Sequence, residues 1–384
     1  MIDIGPTKKA VPTPVKALKL SSRLGCIIPA RVILRINLKT NSMIVAILQA
    51  TPRLGLSVAL AIWLMVELSP LATAVESAPG GQRPVLVPPH PNSGFRNPYL
   101  LLLPEEILPA APFLILTPTP PTSRNATDYL EAAGRLATNA RPFLARLRLP
   151  ILIPVLPRPP VRLPGGHHIN LHMPALSRAA LLAAEPEFAR IDLQVLAMLD
   201  DARVRVLREH SLRTHERAIF AGFSAAGHFA TRMAVLHPSR VLAVWAGGTG
   251  GHPILPLAEL GGHTLTYPVG VNDLAQVAGA VFDARTFARI PILIVQGAAD
   301  TNTSLPSGEE PSDSYSAEQA RLVLGLVGTN AVQRLERVKA LYCSAGSEAE
   351  IRVYEGVGHR MSPEVARDLV EFVAQQADRA RRSK

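Results

Sequence analysis

Cysteine and aromatic residues are scarce in this sequence. Only two of its 384 residues are cysteine, Cys26 and Cys343, and neither has a second cysteine or a metal-ligand pattern nearby. A framework of disulfide bonds is therefore not expected. Aromatic residues make up 5% of the chain, and no stripe of aromatic and basic residues is present. This composition argues against a nucleic-acid partner.

Acidic residues are outnumbered, but the excess of positive charge is local. The formal net charge is +10, and residues 1–74 contribute +7 of it, from nine basic and two acidic residues. The rest of the chain has 31 basic and 28 acidic residues, a balance of only +3. A nearly neutral body gives no electrostatic reason to expect binding to nucleic acid.

The apolar run at 54–66 is too short to span a membrane, which takes ~20 residues. Arg53 precedes the run and LATA follows it at 71–74, which is the layout of a secretion signal with its cleavage site. We therefore expect export to the periplasm or the medium, with cleavage just before Val75 and no stable membrane span afterwards.

Forty-two residues precede Met43, which is more than a secretion signal needs. We expect Met43 to be the true start and residues 43–74 to be the signal peptide. Residues 1–42 are then a mis-called extension or a disordered segment. The alternatives are a membrane anchor formed by residues 54–74 and a buried cytoplasmic helix.

The segment AIFAGFSAAGHFATRM at 218–233 predicts a strand, a tight turn with Ser224 at its tip, and a helix. Its centre is close to G-x-S-x-G, the nucleophile elbow, in which a sharp turn exposes a reactive serine. Ala226 stands in place of the second glycine, but alanine is still small enough for a close crossing of strand and helix. The alternative is an ordinary strand–helix junction that happens to contain a serine.

Two later segments supply an acid and a base in the order that such a fold requires. Asp300 follows the apolar run at 292–295, and His359 follows the short predicted strand at 351–354. The carboxyl ends of strands in an open parallel sheet share one edge, where ligands bind. We therefore predict that Ser224, His359 and Asp300 form a catalytic triad.

Two other aspartates compete with Asp300 for the role of the acid. Asp283 precedes the helix-like segment ARTFARI, and a cap at that helix is the favoured interpretation. Asp313 lies in a polar loop and serves only if that loop folds back over His359.

Attack by a serine nucleophile on a carbonyl group needs two N–H donors that stabilise the developing oxyanion. Ala225, the residue after the nucleophile, is expected to supply one of them. The other is expected from the loop TPTPP at 117–121, which follows a predicted strand at 113–117. Because proline has no N–H, Thr119 is the leading candidate; the alternative is that Thr119 only belongs to a rigid turn.

Three histidines in the segment GGHHINLHMP, namely His167, His168 and His172, suggest a metal site at first sight. Their spacing matches no zinc motif, and no acidic residue or cysteine lies close to them in the sequence. We expect a loop at the surface or at the substrate cleft, and we expect neither a metal nor another cofactor.

Strand-like and helix-like segments alternate from about residue 113 to the C-terminus, which predicts an α/β fold with a mostly parallel central sheet flanked by helices. One predicted helix starts at Ile191 and carries apolar residues at Val195, Met198, Ala202 and Val206. Another helix is predicted at 128–140, with Pro142 ending or kinking it.

The motifs GFSAAG, ILIVQGAADTN and YEGVGHRM resemble those of the α/β-hydrolase superfamily, in its branch of secreted esterases and polyhydroxybutyrate-depolymerase-like enzymes. The resemblance extends from about residue 97 to the C-terminus. It implies a single catalytic domain at 75–384 with an α/β-hydrolase fold. It also implies a serine hydrolase that cleaves small or polymeric carboxylic esters through an acyl-enzyme. Independently of the resemblance, we expect the acyl pocket to be shaped by Trp245, Tyr267 and the residues between Gly247 and Gly270.

The motifs are specific for the superfamily and not for a substrate. One alternative is a peptidase or thioesterase that uses the same triad. The other is a catalytically silent α/β-hydrolase-fold protein that binds a ligand or a partner; such a protein typically lacks one triad member, whereas all three residues are present in this sequence.

Overall fold

The computed structural model describes residues 83–118, 126–156, 175–302, 305, 315–347 and 349–382. All of them belong to the second of two compact units, Ala78–Lys384. Several features singled out from the sequence lie outside the described residues: the segments 1–42 and 43–74, Thr119, His167, His168, His172 and Asp313.

An eight-stranded sheet forms the centre of the described domain. The strands are β1 Val85–Val87, β2 Tyr99–Leu102, β3 Leu114–Leu116, β4 Ile151–Pro154, β5 Ala218–Phe223, β6 Val241–Gly247, β9 Ile292–Gly297 and β10 Ala349–Tyr354. Their order across the sheet is β1-β2-β4-β3-β5-β6-β9-β10. The strands from β4 to β10 in this order pair in parallel, whereas β1 and β2 pair antiparallel at one edge. A separate hairpin consists of β7 Glu259–Leu260 and β8 His263–Thr264.

Helices connect the parallel strands. They are α1 Ala126–Leu147, α2 Arg178–Leu181, α3 Ile191–His210, α4 Ala225–Leu236, α5 Leu274–Ala278, α6 Ala284–Phe287, α7 Ala317–Val327, α8 Ala331–Ser344 and α9 Pro363–Arg382. Two short 3₁₀ helices are present at Pro91–Ser93 and Pro238–Arg240. The expected α/β architecture, a mostly parallel sheet flanked by helices, is therefore confirmed.

The central strands are buried on both faces. All seven residues of β6 and all six of β9 are buried. Because successive side chains of a strand point to opposite faces, such burial requires cover on both sides of the sheet. This is the reason why these strands have continuous apolar sequences and no alternation.

Two helix predictions have different outcomes. In α3 the five apolar residues at the predicted spacing are all buried, so this prediction is confirmed. The sequence predicts that the helix ends or kinks at Pro142. It does not end there, because α1 continues to Leu147. Apolar positions repeat at helical spacing on both sides of the proline, and all of them are buried: Ala133, Ala137, Ala140, Leu144 and Leu147. Their burial offsets the loss of one backbone hydrogen bond at Pro142.

None of the helices formed by the described residues combines the length and the apolar character that crossing a membrane requires.

Candidate active site

Ser224 lies on a tight turn between β5 and α4. Its backbone has φ 62° and ψ −126°, a conformation that residues other than glycine rarely adopt. A Cβ atom at Gly222 would come within 2.3 Å of the Ala226 carbonyl oxygen, and one at Gly227 within 2.7 Å of the Gly247 oxygen. The two glycines are therefore required by the close crossing of strand and helix. The tight turn expected from the sequence is confirmed.

The imidazole of His359 lies between Ser224 and Asp300. Its Nδ1 is 2.9 Å from Oδ2 of Asp300, and its Nε2 is 3.0 Å from Oγ of Ser224. An ionised carboxylate only accepts hydrogen bonds, so the proton of the neutral ring belongs on Nδ1 and leaves Nε2 free to accept the serine proton. The Asp300 side chain is 1% exposed and that of His359 is 27% exposed. The structure thus brings the three predicted residues into one hydrogen-bonded line.

Backbone contacts between two loops hold the acid and the histidine together. The N–H of Ala299 donates to the Val357 carbonyl at 3.0 Å, and the N–H of Ala298 donates to the Tyr354 carbonyl at 2.9 Å. A Cβ atom at Gly297 would lie 2.1 Å from the Val357 oxygen, so only glycine permits this approach. Backbone contacts therefore hold the loop after β9 and the loop after β10 together, independently of the side chains of Asp300 and His359.

Asp300 has two further hydrogen-bond donors. The backbone N–H of Asn302 donates to Oδ1 at 2.9 Å, and the side-chain amide of Gln296 donates to Oδ2 at 2.8 Å. Gln296 belongs to β9 and is 1% exposed. This residue was not singled out from the sequence. The available signal was one amide side chain within the otherwise apolar run ILIVQG.

The N-terminus of α4 faces the same edge. Ala225 is the first residue of this helix, and its N–H belongs to the first turn, whose donors have no acceptor within the helix. The helix dipole adds partial positive charge at this end. Ala225 is therefore positioned as the predicted oxyanion donor requires, while the predicted second donor, Thr119, lies outside the described residues.

Two other histidines near α4 are unsuited to act as the base. His228 and His252 are both buried. Burial is the largest cause that lowers the pKa of each ring, well below the usual value for His228 and to about 3 for His252. Nearby cations, chiefly Arg232 for His228 and Arg334 for His252, lower these pKa values further. The ring beside the serine is that of His359.

The remaining expectations have mixed outcomes. Asp283 caps α6, since its Oδ1 accepts the N–H of Thr286 at 3.0 Å, which confirms the cap prediction. Trp245 lines a cavity beside the turn at Ser224. Tyr267 is fully buried and donates its hydroxyl to the Leu176 carbonyl. It does not line this cavity, and its role in an acyl pocket stays a prediction. No cluster of three metal-ligating side chains occurs within the described ranges.

Comparisons with known proteins identify the fold. The chain is similar to poly(aspartic acid) hydrolase-1 from Sphingomonas sp. KT-1, with 16% identity, a TM-score of 0.50, and coverage of 77% of this chain and 99% of the other. It is also similar to the poly(3-hydroxybutyrate) depolymerase LpqC from Bordetella parapertussis, with 18% identity, a TM-score of 0.45, and coverage of 77% and 87%. A third similar structure is the siderophore hydrolase EstB from Aspergillus nidulans, with 14% identity, a TM-score of 0.43, and coverage of 79% of this chain and 96% of the other.

No protein-family model matches the chain, and no curated protein matches its sequence. At 16% identity the likeness to poly(aspartic acid) hydrolase-1 shows the fold alone. The described domain has the α/β-hydrolase fold, as the resemblance of its motifs implies.

Proposed function

We propose that the protein is a serine hydrolase that cleaves carboxylic esters through an acyl-enzyme intermediate. The observation that carries this proposal is the line of hydrogen bonds from Asp300 through His359 to Ser224, with distances of 2.9 and 3.0 Å. The strained turn at Ser224 is a second support, because backbone strain of this kind is retained where it serves a site. The similarity to poly(aspartic acid) hydrolase-1, itself a hydrolase by name, agrees with the proposal.

In the first half-reaction, Oγ of Ser224 attacks the ester carbonyl carbon while Nε2 of His359 takes the serine proton. The carbonyl oxygen becomes an oxyanion and accepts the N–H of Ala225. Asp300 stabilises the imidazolium through Nδ1–H. The tetrahedral intermediate then collapses, the bond to the alcohol oxygen breaks, and Nε2 returns its proton to the departing alcohol.

In the second half-reaction, water replaces the alcohol. His359 takes a proton from water, the resulting hydroxide attacks the acyl carbon, and the bond to Oγ of Ser224 breaks. The imidazolium then reprotonates Oγ. The products are a carboxylic acid and an alcohol, and the side chains return to their initial state.

A fluorophosphonate probe tests the nucleophile directly, since it reacts with activated serines. We expect the parent protein and Ser344→Ala to be labelled and Ser224→Ala to remain unlabelled. Ser344 is a matched control because it is an exposed serine at the end of α8. Labelling of Ser224→Ala, or absence of labelling in the parent, would refute the proposal.

The acid is tested with a pair of aspartate variants and p-nitrophenyl acetate. Asp300→Asn leaves Nδ1 of His359 without its acceptor and favours the wrong tautomer, so we expect kcat to fall by roughly 10⁴-fold. Asp283→Asn affects only an exposed helix cap and should retain most of the parent rate. Equal rates for the two variants would show that Asp300 is not the acid. A parallel series of the matching thioester and amide distinguishes an esterase from a thioesterase or a peptidase.

A further inference from the structure

A cavity of about 270 Å³ lies against the sheet next to the turn that carries Ser224. Its floor includes Leu116, Ala221 and Trp245, which are paired across the neighbouring strands β3, β5 and β6. Residues paired in this way point to the same face of a sheet. The floor is therefore a continuous apolar surface that crosses three strands.

Two helices form the walls of this cavity. Ala132 and Leu136 from α1 and Leu369 from α9 line it. Ala132 and the floor residue Ala221 have small side chains, which is why space remains between the helices and the sheet. The polar side chains of Arg135 and Asn139 on α1 also line the cavity, and both are exposed to solvent. The cavity thus has an apolar interior with a polar border.

The cavity also has lining residues next to the reacting groups. Phe223 directly precedes Ser224, and its ring centroid is 5.0 Å from that of His359. Met361 follows His359 by two residues and is 42% exposed. An acyl group attached to Oγ of Ser224 would therefore begin no further from the cavity than the length of one side chain.

We propose that this cavity binds the acyl chain of the substrate and that the preferred chain is an unbranched aliphatic chain of medium length. The inference rests on the proposed esterase function. The volume corresponds to roughly nine water-sized groups. Each methylene group that moves from water to such a surface improves binding about fourfold.

The first experiment measures kcat/KM for p-nitrophenyl esters from acetate to decanoate, so that only the acyl chain changes. We expect kcat/KM of the parent to rise about fourfold per methylene group until the cavity is full and then to level off. A parallel series of alkyl acetates, in which only the alcohol chain changes, should show no such rise. The opposite result, a rise only with the alcohol chain, would overturn the proposal.

A variant of the cavity wall and a matched control test the location. Leu136→Phe reduces the cavity, and we expect the ratio of kcat/KM for the octanoate ester to kcat/KM for the acetate ester to fall about tenfold. Leu130→Phe is the same substitution on the same helix at a 39% exposed position that does not line the cavity, and it should match the parent. Leu136→Ala should extend the rise to longer chains. An equal loss for acetate and octanoate in Leu136→Phe would contradict the proposal.

A binding measurement separates this inference from the proposed function. Trp63 and Trp245 are the two tryptophans of the chain, so Trp63→Phe leaves only the one in the cavity floor. In a Trp63→Phe, Ser224→Ala protein, octanoate should change the emission of Trp245 and butanoate should do so only at much higher concentration. If the parent hydrolyses no ester but octanoate changes this emission, the proposed function fails and the cavity assignment survives. An unchanged emission with octanoate would refute the cavity assignment.

Discussion

At the scale of single residues, Gln296 is the most informative side chain outside the triad. It is the polar member of a buried strand, and its amide donates to the carboxylate of Asp300 at 2.8 Å. Its own amide oxygen has no hydrogen-bond partner among the described residues, and burying such a group is costly. The NH₂ group of Gln296 has a hydrogen-bond partner and its oxygen has none among these residues. The role that best explains this buried amide is to hold Asp300 in position.

Replacing Gln296 by leucine should therefore weaken catalysis without unfolding the protein. We expect kcat for an ester to fall roughly 10- to 100-fold, the usual effect of losing a hydrogen bond to a charged group, with little change in KM. Loss of this donor leaves the carboxylate of Asp300 less firmly held in line with Nδ1 of His359, which is why kcat should fall.

Two further variants decide whether this effect is specific. Gln376→Leu is a matched control, because Gln376 is a buried amide on α9 whose side chain donates to Gln375. It should leave kcat close to that of the parent. Gln296→His keeps an N–H donor at similar reach and should recover part of the lost rate. If Gln296→Leu has the same kcat as Gln376→Leu, Gln296 does not position Asp300.

The contrast between the triad and Gln296 shows what could be predicted from the sequence at this scale. Ser224, Asp300 and His359 each follow a strand, and the common edge of a parallel sheet is a general rule, so their meeting was predictable. The bond from Gln296 to Asp300 depends on how one side chain of β9 is oriented over the turn that follows it. No spacing rule contains that information.

At the scale of elements, the crossing of β5 and α4 determines which substitutions the nucleophile turn tolerates. Ala226 is fully buried, and its carbonyl group and Cβ would lie within 2.6 Å of a Cβ atom placed at Gly222. Ala226→Val should overpack this crossing, with a loss of ~1–3 kcal/mol in the free energy of unfolding and a sharp fall in ester hydrolysis.

The control for this variant is Ala340→Val, the same substitution at an exposed position within helix α8. It accounts for the lower helix propensity of valine and should cost only a few tenths of a kcal/mol. Urea titration of both proteins gives the two free energies of unfolding. If Ala226→Val is as stable and as active as Ala340→Val, the crossing is less tight than the distances at Gly222 indicate.

The parallel strands were predictable and the antiparallel edge was not. The runs that form β5, β6 and β9 are apolar, and the run of β9 is also bounded by Pro291 and Gly297, which is typical of strands buried on both faces. By contrast, β1 has only three residues and β2 lies in a proline-rich region, where proline favours loops. Pairing with β4, which is remote in the sequence, stabilises β2.

At the scale of the whole molecule, buried histidines couple stability to pH. His252 is fully buried, its ring packs 5.6 Å from that of Tyr315, and neither of its ring nitrogens has a hydrogen-bond partner among the described residues. Burial first, and then the positive charges of Arg334 and Arg232, lower the pKa of His252 to about 3. The pKa of His228 shifts in the same direction.

The sign of the resulting pH dependence follows from proton binding. Below about pH 6.5 the unfolded chain protonates these histidines, whereas the folded protein keeps them neutral until far lower pH. The unfolded state then binds more protons, so the free energy of unfolding decreases as the pH falls from about 6.5 towards 3. Burial by itself raises the pKa of Asp192, but hydrogen bonds from His237 and Arg190 outweigh it and hold the pKa at about 2. Asp192 therefore contributes to the pH dependence only at lower pH, where its stabilising effect is lost as the pH falls from about 3.8 towards 2.

We therefore expect His252→Phe to flatten the pH dependence of stability between pH 6 and pH 4. Phenylalanine has a similar shape and does not titrate. A plot of the free energy of unfolding against pH should therefore have a slope about 1.4 kcal/mol per pH unit smaller for the variant than for the parent. Urea titrations at pH 6, 5 and 4 give this slope for each protein. His263→Phe replaces an exposed histidine of β8 and should retain the slope of the parent. If the slopes of His252→Phe and His263→Phe are the same, His252 is protonated in the folded protein over this range, and the burial of its ring is not the cause of acid sensitivity.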